Sequence, residues 1–495
     1  MKPGLKSIPG PILAKFTDLW RFYYTRNGTM KEKIQELHHQ YGTLVRLGPN
    51  VVSISDARMV EDIYGIKAEF PKSARYTTSQ AFIDGEIVHT VFGTQDKTEH
   101  SKLKRPVASI YSMSSVASYE PLVDSSIVKF VHTLNERFIS TGKICPIDQW
   151  FQYLAMDTIS VILMSRPMGF IDQGRDVDSL LEHLYHDFNR RLHFGIFPRL
   201  DRLLTKNKLV YWFFGNMTPR VFLKASQLLG ERNEIRKGKD NEIFPHEMGR
   251  DFTSRFLEQK QKNPDGISDR MLLAYITLNI FAGSDTTAVT MRAILYYLMK
   301  TPRVLSNLRA ELAAANLPFP APFSLTNKLP YLNAVIKEAM RIHPITGAEL
   351  FERVVPASGL RVRDSDLVIP EGTTVGVTGW TVHFDRRVYG ADVAVFRPER
   401  WMREEKESEE AFRERMDRMG RADVRFGKGS RSCLGRHVAE LELFKIIPVL
   451  VDLLEFEMDP PDKEWEVEYL FLSKQTGMDV KIKWRQGIAK EEILG

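Results

Sequence analysis

Only two cysteines, Cys145 and Cys433, occur in this chain of 495 residues. They could form at most one bridge, which excludes a disulfide-stabilised scaffold and favours a reducing compartment. The chain also lacks any run of about 18 apolar residues, so no transmembrane helix is predicted. Hydrophobic residues make up 43% of the sequence, enough for a large core and unlike the composition of a disordered chain.

A block of like charges is missing too. The formal net charge is +6, but lysines and arginines are interspersed with acidic residues along the whole chain. This pattern argues against a nucleic-acid partner and favours a basic patch that docks an acidic protein. We expect a monomer.

Hydrophobic periodicity predicts a mainly α protein with small β-sheets, an α+β class with a β-rich N-terminal part. Two short strands are expected around the Gly-Pro-Asn turn within residues 45–55, and charged residues 402–425 show no strong periodicity. Further strands are predicted over 352–382. The expected helices include 123–138, 150–164, 177–194, 269–299, 331–342 and a final one over 434–454.

Residues 426–435, Phe-Gly-Lys-Gly-Ser-Arg-Ser-Cys-Leu-Gly, place Cys433 in a glycine-rich turn just before a helix. Backbone N–H groups of the turn and the positive end of the helix would stabilise a thiolate and lower the thiol pKa. Cys433 is therefore a candidate metal ligand. Phe426 could shield the sulfur from water, and Arg431 could pair with a carboxylate of a cofactor. Gly429 and Gly435 would let the backbone approach a flat macrocycle closely.

This segment resembles the Phe-x-x-Gly-x-Arg-x-Cys-x-Gly signature of the cytochrome P450 family at all five fixed positions. Chance gives such a match with a probability on the order of 10⁻⁵ to 10⁻⁴. The alternative is a buried structural cysteine after a glycine turn, and a phosphate-binding loop fits less well. The resemblance implies the cytochrome P450 fold and haem b, with Cys433 as the iron ligand whose thiolate favours O–O cleavage.

The predicted helix 269–299 contains Ala-Gly-Ser-Asp-Thr-Thr at 282–287. A threonine that bonds back to the preceding turn can open a groove in a buried helix. The stretch resembles the oxygen-activating motif of the family, which implies that Asp285 supplies protons and Thr286 stabilises the bound oxygen species. A helix kink with a solvated aspartate is the alternative.

Glu338 and Arg341 lie three apart on the predicted helix 331–342, so they share a face. By resemblance, Phe-Arg-Pro-Glu-Arg-Trp at 396–401 makes Arg400 the third member of a buried Glu-Arg-Arg network. We interpret these three residues as scaffold that holds the cysteine loop.

His100 and Lys104 lie four apart, at the place where the family sets a Trp or His and a basic residue against the haem propionates. This chain departs from the commonest pattern in having His and Lys there. Arg353 is a similar candidate in a later strand. Surface positions and ordinary ion pairs are the alternatives for all three.

The resemblance covers nearly the whole chain. It implies that residues 1–12 are a proline-rich hinge, here without the N-terminal membrane anchor that such relatives usually carry, and that residues 13–490 form one catalytic domain. It implies a monooxygenase that inserts one oxygen atom from O2 into an apolar small molecule, similar to fungal pisatin demethylase in secondary metabolism. Hydroxylation, demethylation and multi-step oxidation all stay open. The alternatives are a reductase-independent haem-thiolate isomerase or dehydratase, and a non-catalytic haem-binding protein. Candidate pocket residues, for which core packing is the alternative, are Tyr76, Phe82, Phe92, Phe188, Phe194, Ile280, Ala282 and Thr346.

Electrons are expected from an NADPH-cytochrome reductase that docks on basic residues near the cysteine. The apolar stretch 209–214 is a candidate contact with a membrane surface, with core packing as its alternative. We expect a position on the cytosolic face of the endoplasmic reticulum if an anchor was trimmed, and the cytoplasm otherwise. The candidate docking residues are Arg421, Arg425, Lys428 and Arg436.

Overall fold

The computed structural model describes residues 3–214, 220–237, 251–264, 266–347 and 350–494. Helices dominate these residues and the strands form small separate sheets, which confirms the predicted mainly α class. The α-helices of the described residues, numbered α1 to α22 in chain order, are Leu19–Arg26, Met30–Tyr41, Met59–Tyr64, Lys97–Lys104, Met113–Ala117, Glu120–Leu134, Ile147–Met164, Phe170–Gln173, Leu180–Ile196, Pro198–Leu204, Lys208–Phe214, Arg220–Lys237, Phe252–Lys262, Asp269–Lys300, Pro302–Ala315, Phe323–Thr326, Pro330–Ile342, Gly379–Val382, Arg386–Tyr389, Glu409–Ala422, Arg436–Leu453 and Lys490–Leu494.

The strands form one four-stranded sheet, one three-stranded sheet and three hairpins among the described residues. The largest sheet has the order β1-β2-β9-β6, and only its β2–β9 pair is parallel. The three-stranded sheet has the order β10-β13-β5. The strands β1 to β13 are Leu44–Gly48, Val51–Ile54, Ala81–Ile83, Glu86–Val88, Cys145–Pro146, Arg353–Val354, Leu360–Arg361, Val368–Ile369, Thr374–Gly376, Leu454–Met458, Glu466–Tyr469, Ser473–Thr476 and Asp479–Trp484.

The main core surrounds α14, which is the predicted helix 269–299 and spans Asp269–Lys300. Helix α7 packs closely along it at Gly283, where a Cβ would lie 2.7 Å from Cγ1 of Ile159. Glycine at this position therefore lets the two helices approach. Within the described residues, no helix combines the length and the apolar character needed to span a bilayer.

Three predicted regions differ from the structure. Residues 402–425 are not irregular throughout, since they contain α20, an exposed helix that buries only Met419 and Ala422 and therefore has little hydrophobic periodicity. Ser408 caps its N-terminus by accepting from the N–H of Ala411. The helix predicted to be the last is α21, but β10 to β13 and α22 follow it. In the region 352–382, which was predicted to form strands, Gly379–Val382 form the short helix α18.

Candidate active site

The segment that carries Cys433 is a tight loop ahead of α21. A 3-10 turn over Gly429–Arg431 precedes the cysteine, and the N–H of Cys433 donates to the carbonyl oxygen of Phe426 at 2.7 Å. Gly427 and Gly429 both have a φ of 64°, a left-handed conformation that glycine adopts without strain. The loop geometry therefore depends on these glycines.

Gly429 and Gly435, the two glycines predicted to lie against the macrocycle, have different surroundings. A Cβ on Gly429 would lie 2.1 Å from the carbonyl oxygen of Tyr64, so this glycine serves the packing of the loop against α3. Around Gly435, no described atom lies within 4 Å of the Cβ position. Open space beside the cysteine therefore fits the macrocycle interpretation at Gly435, while Gly429 has a packing explanation.

The thiol of Cys433 borders accessible space, whereas Cys145 is buried. Desolvation nevertheless raises the pKa of the Cys433 thiol, and it outweighs the lowering effects of the Gly435 N–H and the Arg436 charge. The turn and the start of the helix therefore act on this pKa in the expected direction, but burial has the larger effect. A coordinated metal would supply the missing stabilisation, because a thiol that ligates a metal loses its proton. Phe426 is half-buried and packs against the main core beside this loop.

Helix α4 is fastened to the cysteine loop by two cations. The guanidinium of Arg431 donates to the carbonyl oxygens of Thr94 at 2.9 Å and Gln95 at 3.0 Å, just before α4. Lys104 of α4 donates in return to the carbonyl oxygen of Ser430 at 3.2 Å. Loop and helix therefore hold each other in place.

His100 lies on the same helix, buried near both cations. Desolvation, followed by the charges of Arg431 and Lys104, lowers the pKa of His100 to about 4. At neutral pH it is an uncharged donor rather than the second cation expected from the sequence. Arg353 of β6 is also buried, and its guanidinium lies 5.0 Å from the ring centroid of Tyr64.

These groups fit an anionic cofactor. In the part of the chain that the structure describes, Arg431, Lys104 and Arg353 have no carboxylate within 4.0 Å. Burial, and next the charge of Arg353, lower the pKa of Arg431 to about 10, so the cluster carries excess positive charge. Two propionates would offset that charge.

On α14, the residues of the Ala-Gly-Ser-Asp-Thr-Thr stretch face two different spaces. Ala282 is exposed although it lies in the middle of a mostly buried helix, and Thr286 donates back to its carbonyl oxygen at 2.7 Å. Ser284 and Thr290 make the same i to i−4 bonds. Such side-chain bonds loosen and bend a helix, as the sequence predicts for this groove.

Asp285 lines a cavity of about 480 Å³ between α7, α9, α14 and the β11–β12 hairpin. Burial raises the pKa of Asp285, and the charges of Lys474 and Arg292 partly offset this rise. Asp285 is thus a half-buried residue on the wall of a cavity. Sequence reasoning missed Lys474 and Arg292, because no short-range motif links a C-terminal strand to this helix.

The predicted pocket residues divide into several groups. Phe188 of α9 packs on Phe281 of α14 with ring centroids 4.0 Å apart, and on Phe471 at 4.8 Å. Ile280 is fully buried in the main core, so it contributes packing rather than pocket wall. Phe281 and Phe471, which the sequence analysis missed, extend the aromatic surface.

The remaining pocket candidates lie near the cationic cluster or at the edge of the site. Tyr76 and Phe92 meet edge to face with centroids 5.6 Å apart, and the Lys72 ammonium lies over both rings. Phe82 lies in the β3–β4 hairpin and Phe194 is half-buried on α9. Thr346 forms an isolated β-bridge with Leu472, and its carbonyl oxygen accepts a hydrogen bond from the indole N–H of Trp380.

Glu338, Arg341 and Arg400 form a buried network. The carboxylate of Glu338 accepts from Arg341 Nη2 at 2.7 Å and from Arg400 Nε at 3.2 Å. It also accepts from the Trp401 indole at 2.8 Å, and Arg400 donates to Asp392 at 2.7 Å. Burial would raise the pKa of Glu338, but the bonds and charges of the two arginines hold that pKa below its usual range.

The network continues toward the cysteine loop. Arg341 donates to the carbonyl oxygen of His383 at 3.0 Å, and the ring of His383 accepts from the N–H of Val424 at 3.1 Å. Arg425 donates to the carbonyl oxygen of Lys337 on α17 at 3.3 Å. These contacts fix the chain directly before the residue whose carbonyl receives the Cys433 N–H.

Comparisons with known proteins agree with this geometry. The family model described as Cytochrome P450 matches residues 9–482. The chain is 36% identical to the cytochrome P450 monooxygenase vrtE of Penicillium aethiopicum over 489 residues, 98% of this chain and 91% of that protein. It is 35% identical to the monooxygenase cicH of Emericella nidulans over 490 residues, 98% and 95% of the two chains. A cytochrome P450 monooxygenase of Aspergillus terreus is 37% identical over 451 residues, 90% and 89%.

Replacing Glu338 with Gln tests the buried network. We expect the free energy of unfolding at pH 7 to fall by about 3 to 5 kcal/mol, because two buried arginines lose their counter-charge. Since the pKa of Glu338 is lowered in the folded state, its stabilisation is present above the ordinary carboxyl pKa and is lost as pH falls through the lowered value. The difference in the free energy of unfolding between parent and variant, measured by urea unfolding, should therefore become smaller at acid pH.

Glu409→Gln is the matched control, since Glu409 lies exposed at the start of α20. Its effect should stay within about 0.5 kcal/mol. An equal loss of stability in the two variants would contradict the importance of the network.

Proposed function

This chain belongs to the cytochrome P450 family, and from that premise we propose that Cys433 ligates the iron of haem b and that the groove at Ala282 and Thr286 receives the substrate. As a cytochrome P450 monooxygenase, the protein uses haem b, O2 and electrons that a reductase takes from NADPH. When bound, the haem supplies the reduction of O2 that places one oxygen atom in the substrate and the other in water, with two electrons and two protons consumed. The single observation that carries the proposal is an accessible thiol beside three cations, Arg431, Lys104 and Arg353, that have no carboxylate within 4.0 Å among the described residues.

The residues that would hold the cofactor surround this thiol. Arg431, Lys104 and Arg353 supply positive charge for two propionates, and His100 adds a neutral donor. Gly435 leaves space beside the cysteine, and Phe426, which is half-buried beside the loop, would shield the sulfur from water once the haem is in place. Glu338, Arg341 and Arg400 position the loop without touching the reacting atoms.

Thr286 and Asp285 would handle protons. The hydroxyl hydrogen of Thr286 is donated to the Ala282 carbonyl, so the lone pairs of Oγ1 accept a hydrogen bond from a group in the groove. Burial raises the pKa of the Asp285 carboxyl, which favours its protonated form, the form that can supply a proton. We assign proton supply to Asp285 and orientation to Thr286.

The substrate class follows from the aromatic surface beside α14. Phe188, Phe281 and Phe471 form one continuous set of ring contacts, which favours an apolar small molecule. The named relatives are fungal monooxygenases, and we place this enzyme in fungal secondary metabolism with them.

A reductase would dock on the face that carries the cysteine loop. Arg421 and Arg436 are exposed there, and Lys428 pairs with Glu61 at 3.2 Å. Arg425 is different, because its side chain is largely buried in an ion pair with Asp423 at 2.7 Å. We therefore assign docking to Arg421, Lys428 and Arg436 and leave Arg425 as part of the loop scaffold.

A second surface suits contact with lipid at the cytosolic face of the endoplasmic reticulum. Residues 12–23 and 200–213 carry exposed apolar side chains, and Phe22 joins the two segments through Phe197 at 5.7 Å between ring centroids. Exposed cations lie among them on α10 and α11, which suits anionic headgroups. The exposed members are Ile12, Leu13, Phe16, Leu19, Tyr23, Leu200, Leu203, Leu204, Leu209, Trp212 and Phe213, with Arg199, Arg202 and Lys208.

Cys433→Ser tests the axial ligand. The reduced parent with carbon monoxide should show a Soret band at about 450 nm, and the variant should lose it or show it at about 420 nm. Cys145→Ser is the control and should keep the parent spectrum, because Cys145 is buried in β5. A haem-loaded parent without the band at about 450 nm would exclude thiolate ligation.

Asp285→Asn tests proton supply. We expect coupled product formation to fall about 10²-fold, with more hydrogen peroxide formed per NADPH consumed. Asp269→Asn, at the exposed start of the same helix, should leave coupling unchanged. Parent-like coupling in Asp285→Asn would remove the carboxyl from the mechanism.

Trp212→Ser with Phe213→Ser tests the lipid surface. The parent should sediment with vesicles that contain anionic lipid, and the double variant should bind several-fold less because exposed apolar area is lost. The control is Ile66→Ser, which removes an equally exposed apolar side chain outside the two segments. Equal sedimentation of the two variants would contradict the proposed surface.

A further inference from the structure

Helix α9 presents two different kinds of side chain to α14. Phe188 packs on Phe281 with ring centroids 4.0 Å apart. Arg191, three residues later on α9, places its guanidinium carbon 4.4 Å from the centroid of the same Phe281 ring. Residues three apart on a helix share a face. A cation therefore lies directly beside the aromatic surface that we assign to the substrate.

Arg191 belongs to a cluster of charges between α9 and α10. It donates to Asp187, one turn earlier on α9, which also accepts from Arg190 at 2.9 Å. Asp201 of α10 accepts from Lys206 at 2.6 Å, and one of its oxygens lies 3.4 Å from Arg190. Three cations thus share two carboxylates, and among the described residues no further carboxylate lies within 4.0 Å of them.

Arg191 is the buried member of the two arginines. Its side chain is 10% exposed, whereas that of Arg190 is 35% exposed and reaches solvent. Burial lowers the pKa of Arg191, and the charge of Asp187 only partly offsets that effect. The Nε–H of Arg191 is shielded from solvent and has no hydrogen-bond partner among the described residues. A buried donor without an acceptor is unfavourable, so the guanidinium can accommodate a further anion.

Two other buried cations nearby are already satisfied. Lys206 donates to a carboxylate and to the carbonyl oxygen of Thr77. Arg75, which packs against the next turn of α9, lies 3.5 Å from the carboxylate of Glu352. Of these three side chains, Arg191 is therefore the one that keeps an unused donor beside an aromatic ring.

Phe281 connects this cation with the groove on α14. It directly precedes Ala282, the exposed residue whose carbonyl oxygen accepts from Thr286. A molecule whose apolar body lies in the groove and contacts Phe281 would therefore bring a terminal group near Arg191. The planar fork of N–H donors in arginine matches the two oxygens of a carboxylate.

We propose that Arg191 determines substrate specificity, and that the substrate is an aromatic carboxylic acid whose carboxylate binds the Arg191 guanidinium. The proposal rests on the monooxygenase function proposed above and adds the acidic group that it leaves open. Aromatic rings suit the packing surface of Phe188 and Phe281, and a carboxylate supplies the negative charge that the cluster lacks. Binding makes and breaks no covalent bond, and it orients the apolar body toward the groove.

The test compares aromatic carboxylates of increasing size with their methyl esters, using benzoate, 2-naphthoate and anthracene-2-carboxylate. Calorimetric titration of the haem-loaded protein at pH 7 measures the affinity of each acid and each ester. An ester is the more apolar ligand, so a pocket without a cation prefers the ester. In the parent we expect at least one acid to bind about 10- to 100-fold more tightly than its ester, the range for a hydrogen bond to a charged group. Weaker binding of every acid than of its ester would overturn the proposal.

Two substitutions should change the acid-to-ester ratio of affinities in opposite directions. Arg191→Gln should lower it about 10- to 100-fold, while Arg191→Lys, which retains the charge, should keep part of the preference. Asp187→Asn leaves the arginine in place and removes a competing carboxylate, so the ratio should rise. A merely structural role would weaken acid and ester alike. Equal weakening in Arg191→Gln, or an unchanged ratio in Asp187→Asn, would overturn the assignment.

Arg175→Gln is the control for loss of a positive charge near α9, since Arg175 is exposed just before that helix. Its acid-to-ester ratio should equal that of the parent, and a fall as large as in Arg191→Gln would contradict a local role of Arg191. The carbon monoxide spectrum separates this proposal from the function on which it rests. A parent that prefers the acid but lacks the band at about 450 nm would refute thiolate ligation alone.

Discussion

The carboxylate of Glu338 is the constraint on which the site depends. It offsets the buried charges of Arg341 and Arg400, which would otherwise be strongly unfavourable in the interior. Arg341 then fixes His383, and His383 fixes the backbone at Val424. The position of the cysteine loop is therefore set by charges that lie outside the loop itself.

The cysteine loop shows why such external support is needed. Two residues with left-handed backbone, Gly427 and Gly429, make its turn possible but do not hold it against the rest of the protein. Arg431 and Lys104 add bonds between the loop and α4, and both keep excess positive charge. The same cations thus join two elements and create an electrostatic environment for an anionic cofactor.

Helix α14 separates two environments by the direction of adjacent side chains. Ala282 and Thr286 lie one turn apart and share a groove, while Asp285 lines the cavity that Phe188 and Phe471 also line. A helix advances about 100° per residue, so neighbouring positions naturally face different spaces. The two faces of α14 therefore present different side chains to different spaces.

The sequence alone determined the long buried helix, the N-terminal strand pair and the cysteine motif, because periodicity and short spacing are local properties. It also identified Glu338, Arg341 and Arg400, through motifs about 60 residues apart. It could not show that α20 forms, because an exposed charged helix leaves little periodicity. The C-terminal strands β10 to β13 were not predicted either, because the local residue pattern did not indicate them.

Only the tertiary structure decided which residues meet across the chain. Lys474 reaches the surroundings of Asp285 because Gln475 binds α14, and no local pattern encodes that contact. Desolvation likewise outweighs the effect of the turn on the pKa of the Cys433 thiol and lowers the pKa of His100. Burial and long-range charge depend on the packing of distant segments, and therefore could be obtained only from the folded protein.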